Sequence, residues 1–387
     1  MWFFKTPEVI YGEDALEYLE NLTGERAMIV TDKILESLGF AARVQQHLRA
    51  AGMQVAVFSD VEPEPSLQTV QSGAAILAEF QPDWVVGLGG GSCMDAAAAM
   101  WALYERPDLQ PDEISPLVHL GLRQKARLIT IPTTSGTGSE CSWMIVLTDL
   151  EAKRKLVLGS LELIADYAII DPSLVMDLPA RIAADTGMDA LAQAIESYTS
   201  RWRNEFADGL CLQAIRMIFK YLVRSVKQGK NDPEARTMMH HAAAISGIAM
   251  SNSQASLSHA LGHPLGVFFK VPHGRAVGLF LPYTIEFALP ESGELYADLA
   301  RFLGLPANTI EEGTASLAKA VRNLLHELEQ PAKVADLGID RSHYVAAIPE
   351  MIKSGEDDAA ASSPRIPTDE EFAKLFLYAY DGRPVNF

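Results

Sequence analysis

Hydrophobic and polar positions alternate in two different ways along this chain, and the change divides it into two parts. Short, nearly continuous apolar runs typical of buried strands occur at 27–31, 54–58, 84–88, 127–131, 143–148 and 166–171. Apolar residues recur with helical periodicity over 34–50 and 66–80, in the two intervals between the first three of these runs. Strands and helices that alternate in this way predict a mainly parallel sheet with helices on both faces.

From about residue 180 onward the strand pattern disappears. Long helical patterns take its place, at 180–200, 206–228, 233–250, 311–328, 341–353 and 368–380. The chain has 387 residues, which is more than twice the length of a typical domain of about 150 residues. We therefore expect an α/β domain over residues 1–179 and an all-helical domain over residues 180–387.

Charge and composition argue against several classes of function. The chain carries 32 basic and 50 acidic residues, a net charge of −18, and it has no basic run. Binding to nucleic acid or to an anionic membrane is therefore disfavoured. We see no signal peptide and no apolar stretch long enough to span a bilayer. The cysteines Cys93, Cys141 and Cys211 are odd in number and widely spaced, which fits a reducing cytoplasm rather than a disulfide framework.

A glycine-rich loop follows the predicted strand at 84–88. Gly89, Gly90, Gly91 and Ser92 lie between this strand and a predicted helix that contains Asp95. Such a loop lets backbone N–H groups approach an anion closely, and the start of the helix adds a partial positive charge. A purely structural turn needs only one or two glycines, so the run favours a phosphate site over a turn.

A second loop and one aspartate extend this prediction. Thr133, Thr134 and Thr137 lie in the segment 131–140, which again leaves a predicted strand. That segment also fits a solvated turn, but two such loops at the ends of neighbouring strands form the crevice in which α/β sheets bind nucleotides. Asp32 ends the first strand, where a carboxylate accepts ribose hydroxyls and favours NAD over NADP. It fits a helix N-cap equally well.

The helical part holds a candidate metal site. Asp189 and Gln193 are four residues apart, as are His259 and His263, so a helix places each pair on one face. His273 follows in a segment that we expect to be a loop, from which its side chain reaches back towards that face. A buried aspartate needs a partner to offset its desolvation, and a divalent metal is one such partner. A structural histidine cluster is the alternative interpretation.

Four segments, 89–95, 131–140, 187–196 and 259–274, together resemble the iron-dependent (group III) alcohol dehydrogenase family. The resemblance extends over nearly the whole chain. It implies an N-terminal dinucleotide-binding domain and an all-α C-terminal domain, the architecture shared with dehydroquinate synthase, with the active site in the cleft between them. It also implies a homodimer.

The same resemblance assigns roles to individual residues. Asp189, His259 and His273 match family metal ligands, and His263 matches a histidine that relays a proton near the nicotinamide. The residues that match cofactor contacts are Asp32, Gly89, Gly90, Gly91, Ser92, Asp95, Thr133, Thr134 and Lys155.

Four residues depart from the family pattern, and two of them, Ser363 where an asparagine is common and Tyr283 where a histidine is common, concern the shape of the substrate pocket. Ala98 stands where the family usually has a lysine, which alters one contact on the cofactor side. Gln193 stands where it usually has a fourth metal ligand, a histidine. An amide oxygen is a weaker donor than imidazole for Fe²⁺ or Zn²⁺, so we expect a metal that is more easily stripped. Three protein ligands and a water are still sufficient for a catalytic zinc site.

The resulting expectation is an NAD-dependent alcohol dehydrogenase, with NADP less favoured and with Fe²⁺ or Zn²⁺ as the metal. The metal acts as a Lewis acid on the alcohol or carbonyl oxygen, and His263 carries the hydroxyl proton. Small neutral alcohols and aldehydes are the expected substrates. The alternatives are a glycerol-dehydrogenase-like polyol dehydrogenase, a dehydroquinate-synthase-like relative and a non-catalytic nucleotide-binding protein.

Overall fold

A computed structural model describes residues 3–151, 154–356 and 359–387 of the chain. The chain divides into two units, Met1–Leu178 and Pro179–Phe387. The boundary predicted from the sequence falls between residues 179 and 180. Within the described residues the first unit contains all of the strands, and the second contains only helices.

A six-stranded sheet organises the first unit, with the strand order β1-β8-β5-β4-β2-β3. All neighbouring strands in it are parallel, which confirms the prediction of a mainly parallel sheet. The strands are β1 (Glu8–Tyr11), β2 (Arg26–Val30), β3 (Gln54–Phe58), β4 (Trp84–Gly89), β5 (Arg127–Pro132), β6 (Met144–Asp149), β7 (Arg154–Gly159) and β8 (Tyr167–Ile170). β6 and β7 form a separate antiparallel pair, so the predicted run at 143–148 does not belong to the main sheet.

Helices pack on both faces of this sheet. They are α1 (Lys33–Ser37), α2 (Phe40–Ala50), α3 (Leu67–Phe80) and α4 (Gly91–Glu105). Successive side chains of β2 enter different cores: Met28 packs in the cluster that contains α3 and α4, whereas Ile29 packs in the cluster that contains α2. The helix predicted over 34–50 is broken at Gly39, whose φ of 85° favours glycine.

Nine α-helices form the described part of the second unit. They are α5 (Ala180–Thr199), α6 (Glu205–Gln228), α7 (Pro233–Ser253), α8 (Leu257–Phe269), α9 (His273–Phe287), α10 (Leu289–Phe302), α11 (Ile310–Glu327), α12 (Arg341–Glu356) and α13 (Asp369–Asp381). Two apolar cores hold them, one around α5, α6, α7 and α11 and one around α8, α9, α12 and α13. None of the helices described for this chain is long and apolar enough to cross a membrane.

Helix α5 is the central element of this unit. Every side chain from Met188 to Thr199 is buried, so this part of the helix has no polar face towards solvent. Asp189, Gln193 and Glu196 are nevertheless on one side of it, at spacings of four and three residues. Buried polar groups in such a helix need partners, and these partners define the site described next.

Candidate metal centre and nucleotide loops

Three histidine rings converge near the middle of α5. The ring centroids of His259 and His273 are 5.5 Å apart, those of His263 and His273 are 5.0 Å apart, and those of His259 and His263 are 5.8 Å apart. His259 and His263 project from successive turns of α8, as their spacing predicts. The structure therefore brings together histidines from two helices.

Asp189 lies between two of these rings and provides a test of whether a metal fits. Its Oδ1 atom is 3.5 Å from His259 Nε2 and 3.4 Å from His273 Nε2, but it is buried without a hydrogen-bond partner. Two ligand atoms that share a tetrahedral ion, each about 2.1 Å from it, are about 3.4 Å apart. The ligand atoms of the three residues all lie within 4.8 Å of one another. This arrangement fits a divalent cation.

Glu196 fixes which nitrogen of His259 faces Asp189. Its Oε2 atom is 2.5 Å from His259 Nδ1, and its Oε1 accepts a hydrogen bond of 2.5 Å from the backbone N–H of Ser258 in the first turn of α8. A carboxylate accepts only, so Nδ1 carries a proton and Nε2 directs its other side at Asp189. This carboxylate–histidine arrangement is the one that orients metal ligands in proteins.

The electrostatics of the cluster favour a positive charge at its centre. Burial opposes ionisation of His259, but the carboxylates of Glu196 and Asp189 outweigh it and raise the pKa of His259 to about 10. Burial also opposes ionisation of Asp189, yet the neighbouring His273 and His259 hold its pKa well below the usual range. Without a metal, a proton on His259 supplies the compensating charge. A divalent ion would take over this role.

His273 does not lie in a loop, so that prediction was wrong. It is the first residue of α9, with Pro272 as its N-cap. The positive end of the helix therefore lies beside its ring, which favours the neutral, ligating form. Burial is the largest effect that lowers the pKa of His273, and the charges of His263 and His259 lower it further against the attraction of Asp189.

A close approach of α9 to α5 holds His273 opposite Asp189. A Cβ atom on Gly274 would lie 2.2 Å from Asp185 O and 2.9 Å from Asp189 Cβ, so only glycine fits there. The next residue, Arg275, binds Asp185 through both nitrogens of its fork, at 2.9 to 3.1 Å. This ion pair fixes the first turn of α9 against α5.

Gln193 lies on the same face of α5 and is 2% exposed. Its Oε1 atom is 3.4 Å from the hydroxyl oxygen of Ser246 on α7. The same hydroxyl donates a hydrogen bond of 2.8 Å to the backbone carbonyl of Ala190. At the position where the family resemblance implies a fourth metal ligand, this chain thus has an amide that lies beside a hydroxyl group.

In the first unit, the two predicted nucleotide loops face each other. The N–H of Thr133 donates to the carbonyl of Gly89 at 2.9 Å. A Cβ atom on Gly90 would lie 3.5 Å from the Thr134 side chain, and one on Gly91 would lie 3.2 Å from Thr137. Thr134 Oγ1 is buried without a hydrogen-bond partner. An unsatisfied hydroxyl beside a bare glycine backbone that begins α4 is consistent with a bound phosphate.

Asp32 is an N-cap. Its Oδ1 atom accepts hydrogen bonds from the N–H groups of Ile34 and Leu35, at 2.8 and 2.9 Å. Its Oδ2 atom is 3.6 Å from the thiol of Cys93 on α4. The capping interpretation of the sequence is therefore observed, and one carboxylate oxygen lies beside the glycine-loop helix.

Lys155 reaches the glycine loop through an intermediate residue. Its Nζ atom is 2.9 Å from Glu64 Oε1, and the N–H of Glu64 donates to Ser92 Oγ at 3.2 Å. Asp95, by contrast, is used inside the protein, where its Oδ2 accepts a 2.9 Å hydrogen bond from the N–H of Val146. Burial raises the pKa of Asp95 to about 7. Ala98, on the same helix, is buried in an apolar core.

Sequence reasoning missed three residues of these sites: Glu196, Ser246 and Glu64. Glu196 was detectable, because it is a carboxylate seven residues after Asp189 on an otherwise apolar helix. Nothing in the local sequence pairs Ser246 with Gln193 or Glu64 with Lys155, since these contacts join residues 53 and 91 positions apart.

Two family models match the chain. The model for iron-containing alcohol dehydrogenases covers residues 6–172, and the C-terminal model of the same family covers residues 183–380. The chain belongs to the iron-containing alcohol dehydrogenase family. The resemblance inferred from its motifs is thereby confirmed, and with it the assignment as an oxidoreductase of this family.

Curated relatives of this dehydrogenase differ in length. The NADPH-dependent butanol dehydrogenase of Clostridium saccharobutylicum is 37% identical over the whole of both chains. The aldehyde-alcohol dehydrogenase of Streptococcus pneumoniae is 38% identical over 99% of this chain, which spans only 46% of that relative. The chain thus corresponds to one complete relative and to about half of another.

Solved structures agree with the fold. A 1,3-propanediol oxidoreductase superposes with a TM-score of 0.91 at 31% identity, over 98% of this chain and 100% of that one. Sulfoacetaldehyde reductase from Bifidobacterium kashiwanohense, solved in complex with NAD⁺, gives a TM-score of 0.87 at 26% identity, over 98% of each chain. The α/β-plus-helical architecture expected from the sequence is confirmed.

Proposed function

We propose that this dehydrogenase interconverts an alcohol with its aldehyde or ketone by hydride transfer to and from a nicotinamide cofactor, with a divalent metal held by Asp189, His259 and His273. The observation that carries the proposal is the buried Asp189 Oδ1, which has no hydrogen-bond partner and faces two imidazole nitrogens at 3.4 and 3.5 Å. A cation bound there supplies Lewis-acid chemistry to the substrate oxygen.

The protein side chains divide the remaining work. Oxidation removes a hydride from the alcohol carbon, which goes to the nicotinamide, and a proton from the hydroxyl oxygen. We propose that an imidazole nitrogen of His263 accepts this proton. The ring centroid of His263 is 5.0 Å from that of His273. Glu196 keeps the proton of His259 on Nδ1 and so reserves Nε2 for the metal.

We also propose which nucleotide and which metals this dehydrogenase uses. We propose NAD rather than NADP, because the negative charge of Asp32 beside the glycine-loop helix disfavours a 2′-phosphate. The phosphates would contact Gly89, Gly90, Gly91, Ser92, Thr133, Thr134 and Thr137, with Asp95 and Lys155 close by. Fe²⁺ and Zn²⁺ are the proposed metals. The relatives include examples of both cofactors: the butanol dehydrogenase is NADPH-dependent by name, and the sulfoacetaldehyde reductase was solved in complex with NAD⁺.

We also propose a substrate class, an oligomeric state and a compartment. Small neutral alcohols and aldehydes are proposed because several relatives act on such compounds by name. A homodimer is proposed on the family resemblance alone. A reducing cytoplasm is supported by three cysteines that are buried and free.

The test is nicotinamide reduction by a panel of primary alcohols and diols, measured by absorbance with metal-free protein and after addition of Fe²⁺, Zn²⁺ or Mn²⁺. We expect metal-dependent turnover with NAD that exceeds the turnover with NADP. Asp189→Asn should lose metal and turnover together, and His263→Gln should keep the metal and lose turnover. Failure to bind either nicotinamide nucleotide with every metal present would overturn the proposal.

A further inference from the structure

We infer that Ser246 is a positioning residue that turns the amide oxygen of Gln193 towards the metal cluster, so that the metal has two oxygen and two nitrogen donors. This inference rests on the proposed metal site. It concerns the one ligand position at which this chain departs from its family.

Ser246 has a single hydroxyl proton for two neighbouring groups. A serine hydroxyl has one proton to donate and two lone pairs that accept. The structure places its oxygen 2.8 Å from Ala190 O and 3.4 Å from the atom assigned as Gln193 Oε1, and one hydroxyl proton cannot serve both oxygens. The shorter contact takes the proton, because a carbonyl inside a helix can only accept. The hydroxyl therefore presents a lone pair to Gln193.

The Gln193 amide can present either of its ends to Ser246. Its two ends have nearly the same shape, and half a turn about the last side-chain bond exchanges Oε1 with Nε2. An acceptor on Ser246 is satisfied only when the NH₂ group faces it. The carbonyl oxygen of Gln193 then faces the opposite way.

The order of side chains around the α5 axis shows what lies on that opposite side. At about 100° per residue, Gln193 is about 40° round the α5 axis from Asp189, and Ala190 lies about 60° further on. Ser246 contacts Ala190 and therefore approaches from the far side of Gln193. Asp189 and Glu196, which are bridged by the ring of His259, occupy the near side. The oxygen of Gln193 is thus directed at the metal ligands.

The donor set changes the chemistry of the site. Asp189 and Gln193 supply oxygen, and His259 and His273 supply nitrogen. Oxygen donors suit harder ions relatively better than imidazole does. Compared with a site that has histidine at position 193, this one should bind Mn²⁺ and Fe²⁺ with a smaller disadvantage relative to Zn²⁺.

The test compares two buried serines on the same helix. Ser253 lies seven residues after Ser246 and donates a 2.7 Å hydrogen bond to the carbonyl of Ser197 on α5, but it has no role at Gln193. Ser246→Ala and Ser253→Ala therefore lose the same kind of bond between α7 and α5. Dissociation constants for Mn²⁺ and Zn²⁺ are measured by calorimetry on chelator-treated full-length protein, and the visible spectrum is recorded with Co²⁺ bound.

We expect Ser246→Ala and Gln193→Leu each to weaken Mn²⁺ binding about tenfold, and the double variant to be no weaker than Gln193→Leu. Both single variants should change the Co²⁺ spectrum, whereas Ser253→Ala should match the wild type. If Ser246→Ala does not fold, Ser246→Cys replaces it, because a thiol is a poor acceptor of similar size.

Equal Mn²⁺ affinities for Ser246→Ala and Ser253→Ala, or an unchanged Co²⁺ spectrum in Gln193→Leu, would overturn the inference even if the enzyme oxidises alcohols. The expected affinity pattern without any hydride transfer would instead uphold it and overturn the proposed activity. A wild-type protein that binds none of these metals overturns both.

Discussion

At the scale of single residues, Glu196 has two simultaneous tasks, since one oxygen receives His259 Nδ1 and the other receives the N–H of Ser258. An amide offers one acceptor and one donor in the same space, so Glu196→Gln must leave one of these two donors unsatisfied. We expect metal affinity to fall by about tenfold to a hundredfold, measured by metal titration.

The matched control for that variant is Glu105, a buried carboxylate in the first unit. It accepts hydrogen bonds of 2.7 to 2.9 Å from the N–H groups of Gln124, Lys125 and Ala126. Glu105→Gln should lower the melting temperature and leave the metal dissociation constant unchanged. Equal metal affinities in the two variants would show that Glu196 has no particular role at the metal.

Glu140 gives the first unit a pH-dependent stability. Burial raises its pKa from 4.5 to about 7, so the folded protein retains a proton there that the unfolded chain releases. Stability is lost as pH rises from about 4.5 to about 7, by about 3 kcal/mol in total. Glu140→Gln removes this loss, so its melting temperature should match that of the wild type at pH 4, below both pKa values, and exceed it at pH 8, as measured by scanning calorimetry.

Glu162 provides the opposite case for the same experiment. Burial opposes its ionisation, but hydrogen bonds from the N–H groups of Leu122 and Leu120 outweigh it and lower its pKa. The stability that it contributes is present above its unfolded pKa and is lost in acid. Glu162→Gln should therefore melt below the wild type at pH 8. Variants at Glu140 and Glu162 that shifted in the same direction at pH 8 would contradict one of the two assignments, and the direction would show which.

At the scale of helices and strands, the metal cluster depends on how closely α9 approaches α5. Gly274→Ala introduces a Cβ atom 2.2 Å from the backbone of Asp185, which must push the two helices apart and separate His273 from Asp189. We expect a loss of about 1–3 kcal/mol in stability together with weaker metal binding. Gly209→Ala on α6 is the control, because nothing lies within 4 Å of its added Cβ; it should stabilise slightly and keep the metal. Unchanged metal affinity in Gly274→Ala would argue against this packing role.

The strands that could be predicted from the sequence are those that are apolar along their length because they are buried. β2 to β5 and β8 are continuous apolar runs because helices cover both faces of the sheet. β1 and β7 escaped prediction, since EVIY and RKLVLG are short and partly exposed and depend on partners distant in sequence. Helix α9 escaped it because Pro282 and two glycines interrupt its pattern, although close packing against α5 requires the glycines.

The site was predictable to a similar extent. Spacing along α5 and α8 placed Asp189, Gln193, His259 and His263 correctly on their helices. The helical position of His273 and the partners of Gln193 were not predictable, because tertiary contacts between α5, α7 and α9 create them. The sequence is compatible with two roles for Asp32, a helix cap and a ribose contact. The capping role became evident only from its hydrogen bonds in the structure.

At the scale of the whole molecule, the proposed metal ligands all belong to Pro179–Phe387 and the proposed nucleotide contacts to Met1–Leu178. Metal binding should therefore protect amides in one unit and NAD binding should protect amides in the other. At a free metal concentration a hundred times the dissociation constant, the stabilisation is about 2.7 kcal/mol. Hydrogen exchange monitored by mass spectrometry should locate it in α5, α8 and α9, and chelation should reverse it. Metal-dependent protection confined to β2–β5 would place the ion elsewhere.

Position 193 has a consequence for how such enzymes diversify. His259 is held by Glu196, and His273 by the Gly274 contact and the Arg275–Asp185 pair, so neither ligand depends on the side chain at 193. The codons for glutamine and histidine differ only in their third base. A single point mutation can therefore exchange an oxygen for a nitrogen donor without dismantling the rest of the site. Lineages of this family that live with scarce zinc or oxidised iron thus have a short genetic route to a different metal.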